Sequence, residues 1–508
     1  LPEADPLRSS KKKWRHNHAY SGHSPLFPDQ GRLVALGDIM DAADYNKTMS
    51  RLLRSLALAA FALGFSQAAD APNLTDEYRA TADRLIDSAL ADTEGYNRLA
   101  HLCYRIGNRL SGSPALDEAI AWSADQMKSA GLSNVRILPV KVPHWVRGKE
   151  SARIVAPVER QLHMLGLGMS VGTPPGGITA EVVAVPSFDE LANLGREKVQ
   201  GKIVVYNEPY HGYGETVVYR GLGASKAAEL GAVAVLVRSI TPLAMQIPHT
   251  GMMQYADGPP KIATAAISIE DAMMLARLVD EGLPVKVHLE MGAHLEPDAD
   301  SANVTGEISG REMPDEIVAV GGHIDSWDVG QGAQDDGVGI MASLEAVALI
   351  HKLGLRPRRT IRVVFWVNEE NGQRGAKAYR DWLGSSVNQH VAAIEMDGGA
   401  ETPRGFGFGT EKGGDPQSVA ILKEIAKLLD RVGAGAILPN GEDTDTEPLI
   451  AAGVAGLAER TVGTHYFDWH HTEADTLDKV NPEDFRKNVA ALAVMTYVLA
   501  DMPQRLKP

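Results

Sequence analysis

The apolar positions of this chain follow a helical rhythm in some stretches and a strand rhythm in others. Between Asp70 and Arg109, Tyr, Leu and Ile recur at helical spacing. Ser113-Pro114 opens a further helix, because a serine oxygen suits the cap and proline the first turn. Leu116, Ile120 and Met127 continue it and Gly131 ends it. Val135–Val142 reads as a strand. From about 151 to 300 the chain is rich in Val, Ala, Gly and Pro and poor in His. Gly201–Tyr206, Gly231–Val237 and Ala263–Ser268 read there as strands, with helices over Gly223–Leu230 and Glu270–Leu278. Beyond Ser301 the runs sharpen. Ile317–Val320, Ile361–Val367 and Val391–Ile394 are buried strands, and Val338–Leu353 is a helix stopped by Gly354. Asn481-Pro482 opens a last amphipathic helix that runs to about Ala500.

Strands alternating with helices predict an α/β fold: a mixed, largely parallel sheet flanked by helices. Residues 69–150 and 301–508 form its two parts. Residues 151–300 form a smaller inserted α/β domain without an evident constellation of reactive groups.

In such sheets ligands gather beyond the carboxyl ends of the strands. Three strands here end in metal-binding residue types: Gly322-His323-Ile-Asp325, Asn368-Glu369-Glu370-Asn371-Gly372 and Glu395-Met-Asp397-Gly-Gly399. His323 and Asp325 sit two apart and share a side of extended chain, so the carboxylate can buttress the imidazole. Asp335-Asp336 stands at the mouth of a helix, where one Asp can bridge two cations. Asn371-Gly372 breaks the strand and lets Glu369 and Glu370 approach one site, one as ligand and the other as proton acceptor. His470-His471 adds an imidazole. Taken together, this donor set suits two borderline-soft divalent ions that share a carboxylate.

Composition narrows the choice. Of 508 residues only Cys103 is a cysteine, so a zinc site must use His, Asp and Glu. The formal charge of −15 argues against a nucleic-acid partner, which calls for basic patches. Met49–Arg54 is short and basic, Ser55–Phe65 is apolar, and Ser66-Gln-Ala68 offers small residues to a signal peptidase. Residues 49–68 therefore read as a secretory signal, too short for a membrane anchor in the mature protein. The predicted location is secreted or periplasmic. Residues 1–48, with Lys11-Lys12-Lys13 and no initiating Met, read as an upstream leader to a start at Met49. Asn73-Leu-Thr75 and Asn303-Val-Thr305 are glycosylation sequons if the source is eukaryotic.

Three motifs carry a resemblance. Gly322-His-Ile-Asp-Ser-Trp-Asp-Val-Gly-Gln-Gly-Ala-Gln-Asp-Asp-Gly337, Trp366–Gly372 and His471-Thr-Glu-Ala-Asp-Thr476 resemble the zinc aminopeptidase and glutamate carboxypeptidase superfamily, in its carboxypeptidase Q branch. Gly107-Asn-Arg-Leu-Ser-Gly-Ser113 resembles that family's amino-terminal segment, and the middle region its inserted protease-associated domain. The resemblance spans about Asp76 to Leu499. It implies the zinc exopeptidase fold and two Zn2+ ions, with Asp335 bridging them. His323 and Asp397 would complete one ion's ligands, and Glu370 and His471 the other's. Glu369 would be general base, and Asp325 would buttress the ligands without binding metal itself. The family pattern selects Asp335 over Asp336 and His471 over His470, and it implies a cis peptide after Asp335. The implied substrates are short peptides, dipeptides especially, and the implied assembly is a homodimer. A receptor-like homologue without a site and a single-zinc glutaminyl cyclase share the fold. The intact ligand set argues against both, and metal counting with a peptidase assay separates them.

Overall fold

A computed structural model describes residues 73–508. The leader, residues 1–48, and the signal, residues 49–68, lie outside the described residues. No described helix is long and apolar enough to cross a membrane.

Two eight-stranded sheets organise the chain. The first runs in the spatial order Ser133–Val146, His294–Ile308, Arg359–Trp366, Met313–His323, His390–Glu395, Gly456–Thr461, Pro403–Phe408 and Ala436–Pro439. Its four central strands are parallel, and antiparallel strands flank them. Arg359–Trp366 and His390–Glu395 are buried at every position, which is why they show as continuous apolar runs. The helix Val338–Lys352 is buried from Val338 to Ile350 and covers the central strands. Gly354 takes φ +68° just beyond its end. The helix Pro482–Asp501, capped by the Asn481 side chain on the amides of Glu483 and Asp484, differs from the amphipathic expectation. Every residue from Asn488 to Asp501 is buried, because Leu74–Leu90, Val338–Lys352 and the sheet surround it.

The second sheet draws only on residues 150–291, and its core strands Ile178–Val185, Ile203–Tyr206, Ala234–Arg238 and Ala263–Ile267 are parallel. Its apolar clusters lie around Val205 and Leu236 on one face and Val204 and Val235 on the other. This sheet has as many strands as the first, and the described residues hold together as a single compact unit. Trp145 from strand Ser133–Val146, with Leu110 and Trp327 from loops, joins the second sheet's core, so no seam divides the two.

Candidate metal centre

The parallel strands point one way, so the segments after them meet at one edge. Strand Met313–His323 ends on His323 itself, paired across the sheet with Trp366. The neighbouring strand stops at Trp366, and Asn368 turns the chain with φ +69°. That left-handed residue breaks the alternation, so Glu369 and Glu370 both reach the same edge. Asn303 stabilises the turn: its side chain accepts from the Val367 amide at 2.9 Å and donates to the Gly375 carbonyl at 2.8 Å. Asn303 is wholly buried, which removes it as a glycosylation site.

Two ligand groups share one carboxylate. His323, Asp335 and Asp397 form the first, and Asp335, Glu370 and His471 the second. His323 Nε2 lies 3.1 Å from Asp335 Oδ1 and 3.4 Å from Asp397 Oδ1. His471 Nε2 lies 3.2 Å from Asp335 Oδ2 and 3.1 Å from Glu370 Oε2. Asp336 faces the other way, accepting from the His323 and Gly339 amides at 3.1 and 2.9 Å. The Asp335–Asp336 peptide is cis. His470 Nε2 is 3.4 Å from Asp335 Oδ2 and does not approach Glu370.

Asp325 meets both His323 and Glu369. Its backbone carbonyl lies 3.0 Å from His323 Nδ1, while its carboxylate, 4.0 Å away, accepts from the Glu369 amide at 3.2 Å. A carbonyl only accepts, so Nδ1 carries a ring hydrogen and Nε2 is the atom turned toward the cluster, where its lone pair can serve a metal.

The donor set fits two divalent cations. Asp335 Oδ2 and Asp397 Oδ1 are buried and have no hydrogen-bond partner. Burial pushes the Glu370 and Asp397 carboxyls up, and repulsion from Asp335 adds to both. Burial also raises Glu369, to about 8, with Asp397 and Asp335 reinforcing it against the pull of His323. Burial opposes ionisation of Asp335 too, but the imidazoles of His323 and His471 beside it outweigh that and hold the carboxyl well below its usual range. So many carboxylates without a neutralising partner make a costly site unless cations fill it. Zinc accepts this His and carboxylate mixture.

The loop carrying Asp335 is clamped from both ends of the chain. Arg109, fully buried, donates to the carbonyls of Ile324, Gln331 and Gly332 at 2.8, 2.9 and 3.1 Å. The Asp475 carboxylate accepts from the amides of Gln334 and Asp335 at 2.7 and 3.3 Å.

Helices and loops that connect the second sheet's strands wall the site, and sequence reasoning named none of their residues as such. Tyr213 stacks on Phe467 with centroids 4.9 Å apart; from sequence its loop, Tyr210–Gly214, reads as an ordinary surface turn, with a loop near the cleft as the alternative. Arg220 donates to the Tyr213 hydroxyl at 2.6 Å and the Thr250 carbonyl at 3.1 Å, and approaches His471 Nδ1 at 3.4 Å. The Thr250 amide donates to the His471 carbonyl at 2.9 Å. Gly251, at φ +132°, has no room for a side chain, since a Cβ would overlap Arg220 and His471. Tyr213, Arg220 and Met252 on one side, and Glu369, Asp397 and Tyr466 on the other, enclose a cavity of about 310 Å³.

Known proteins are similar to this chain in sequence and fold. The pattern of peptidase family M28 matches residues 303–496. Human carboxypeptidase Q is 44% identical over 417 residues, covering 82% of this chain and 87% of that protein. The mouse protein is 45% identical over 411 residues, covering 81% and 86%. A peptidase M28 precursor from Shewanella amazonensis superposes with a TM-score of 0.82 at 34% identity, covering 85% of this chain and 99% of that one. A zinc aminopeptidase from Bacillus subtilis, at 20% identity and a TM-score of 0.62, shares the fold. With a donor set that fits two zinc ions at its core, the chain belongs to peptidase family M28 and is related to carboxypeptidase Q over most of its length.

Proposed function

We propose that Asp335 bridges two zinc ions, with His323 and Asp397 completing one set of protein ligands and Glu370 and His471 the other. Glu369 is the general base in the hydrolysis of short peptides, dipeptides above all. One observation carries this reading. Asp335 belongs to both ligand groups, with Oδ1 toward His323 and Oδ2 toward His471. Bound zinc would supply Lewis acidity at the scissile carbonyl and acidify a water.

The chain's own residues do the remaining work. Glu369 takes a proton from the attacking water, holds it on a carboxyl oxygen and returns it to the leaving amine nitrogen. Asp325 fixes the Glu369 backbone through that amide and sets the His323 ring through its carbonyl. Tyr213, Met252 and Phe467 give the cavity an apolar side that excludes bulk water. Its volume of about 310 Å³ favours short peptides over folded chains and supports exopeptidase action. Residues 151–300 are the inserted protease-associated domain and cover the cleft. Export behind residues 49–68 rests on the signal pattern, and a homodimer rests on the family relationship.

The test is zinc counting in wild type and Glu369→Gln, joined to hydrolysis of dipeptides blocked and unblocked at each end. The expected result is two zinc per chain in both proteins and hydrolysis of unblocked dipeptides. Turnover in Glu369→Gln should fall by about 10²–10⁴. Equal cleavage of doubly blocked peptides, or full turnover in the variant, refutes the reading.

A further inference from the structure

His249, from the loop after strand Ala234–Arg238, and His470 form a pair to which neither the ligand set nor the general base assigns a task. His249 Nε2 lies 3.0 Å from His470 Nδ1, so one hydrogen is shared between these atoms. His249 Nδ1 is buried and has no partner. An orphaned N–H in that position costs more than a bare acceptor nitrogen. The hydrogen of His249 therefore sits on Nε2 and is donated to His470 Nδ1. With Nδ1 accepting, the ring hydrogen of His470 sits on Nε2.

That N–H faces the cavity. Nε2 of His470 is 3.4 Å from Asp335 Oδ2, and Asp335 Oδ2 makes no hydrogen bond, so the donor is not spent there. The ring cannot swing away. It stacks on His471 with centroids 3.6 Å apart at 19°, and Tyr213 packs edge-on against it at 5.1 Å and 87°. Phe467 closes a further side at 5.3 Å. His470 is thus a neutral donor held rigidly beside the proposed metal centre, in a place where developing negative charge is best stabilised by groups that need no reorientation.

We infer that His249 is a positioning residue that fixes the tautomer of His470, and that His470 donates its Nε2–H to the oxygen of the scissile carbonyl as negative charge develops on it. This inference rests on the proposed peptidase reaction. As the water oxygen bonds to the carbonyl carbon, the π pair moves onto the carbonyl oxygen and the His470 hydrogen bond strengthens. No proton leaves His470. When the C–N bond breaks, the pair returns to C=O, and the leaving nitrogen takes the proton held by Glu369. The second sheet, through His249, thereby contributes to chemistry as well as to enclosure.

The experiment compares wild type with His470→Phe, His249→Phe and His249→Gln, whose amide can still donate from the Nε2 position. Turnover, KM, zinc content and affinity for a phosphonate dipeptide analogue are measured for each. His470→Phe is expected to lose about 100-fold in kcat. Zinc content and KM should hold, and phosphonate affinity should weaken by a similar factor. His249→Phe should lose about 10-fold in kcat, smaller because it acts through His470, and His249→Gln should recover most of that loss. Loss of zinc in His470→Phe would make His470 a ligand and overturn the inference. Lost turnover with unchanged phosphonate affinity, or failure of His249→Gln to exceed His249→Phe, would do the same. If wild type cleaves no peptide while holding zinc, the peptidase reading fails instead, so the two failures are distinguishable.

Discussion

At the scale of single residues, the site is governed by charge crowded into a buried space. His323, although burial opposes its charging, is raised well above its ordinary value by Asp397 and Asp335. Glu370 and Asp397 are raised by burial, and Glu369 stands at about 8. Without cations, then, Glu369 holds its proton at pH 7, and the surroundings of His323, Glu370 and Asp397 favour protons there too. A divalent ion favours the bare imidazole and the ionised carboxylate, so it lowers those values and expels protons. Zinc binding to the metal-free protein should release protons at pH 7, and apparent affinity should rise as pH is raised toward 8. Calorimetric heats measured at pH 7 in two buffers of different ionisation enthalpy report the number released. Heats independent of the buffer would show that the metal-free cluster is already ionised. Residue types made much of this cluster legible in the sequence: three strand ends bearing His, Asp and Glu stand out against apolar runs. The contacts of Asp325 were less legible, because they divide between its backbone and its carboxylate, which a spacing rule does not separate.

At the scale of elements, the same logic of burial acts on the helix Val338–Lys352, which follows Asp335. Glu345 lies on its buried face against Arg98, and its side chain is 3% exposed. Burial raises this carboxyl to about 7, with the Arg98 charge only partly offsetting it. Below about pH 4.5 folded and unfolded chains both hold the proton. Between there and pH 7 the unfolded chain loses it while the folded chain keeps it, so stability falls as pH rises, and above pH 7 the penalty is constant. Glu345→Gln should therefore match wild type near pH 4 and exceed it above pH 7, by on the order of 2–3 kcal/mol. Denaturant melts at the two pH values measure this, and a variant less stable than wild type at pH 8 would sink it. Elements buried on both faces, such as this helix and the central strands, are continuous apolar runs and are legible for that reason. His294–Ile308 is not: its first half, His294-Leu-Glu-Pro-Asp-Ala-Asp300, is mostly exposed and pairs only with the edge strand Ser133–Val146. Pro403–Phe408 alternates Gly with Phe and resembles a loop until Gly456–Thr461 pairs with it.

At the scale of the whole molecule, the cavity exists because two sheets meet over it. Their meeting was hidden from sequence, since His249 is 221 residues from His470, and Arg220 is 251 from His471. No local pattern links such positions; only packing does. The consequence concerns substrate length. Tyr213 comes from the second sheet's side and stacks on Phe467 from the first sheet's side, and its hydroxyl accepts from Arg220. This contact narrows the space above the ligands to a volume that suits a peptide of a few residues. Truncating Tyr213 removes the ring but no ligand, and it leaves the Thr250 amide still holding the His471 carbonyl. Tyr213→Ala should therefore widen the cleft with zinc retained. Measured as kcat/KM, tripeptides should gain on dipeptides by about 10-fold, the change that roughly 1.4 kcal/mol of relieved steric exclusion produces. Arg220 would lose the Tyr213 hydroxyl but keep the Thr250 and Met252 carbonyls, so the wall itself persists. An unchanged tripeptide-to-dipeptide ratio, at full zinc content, would mean that length is limited by how the peptide's ends are recognised rather than by closure of one sheet over the other.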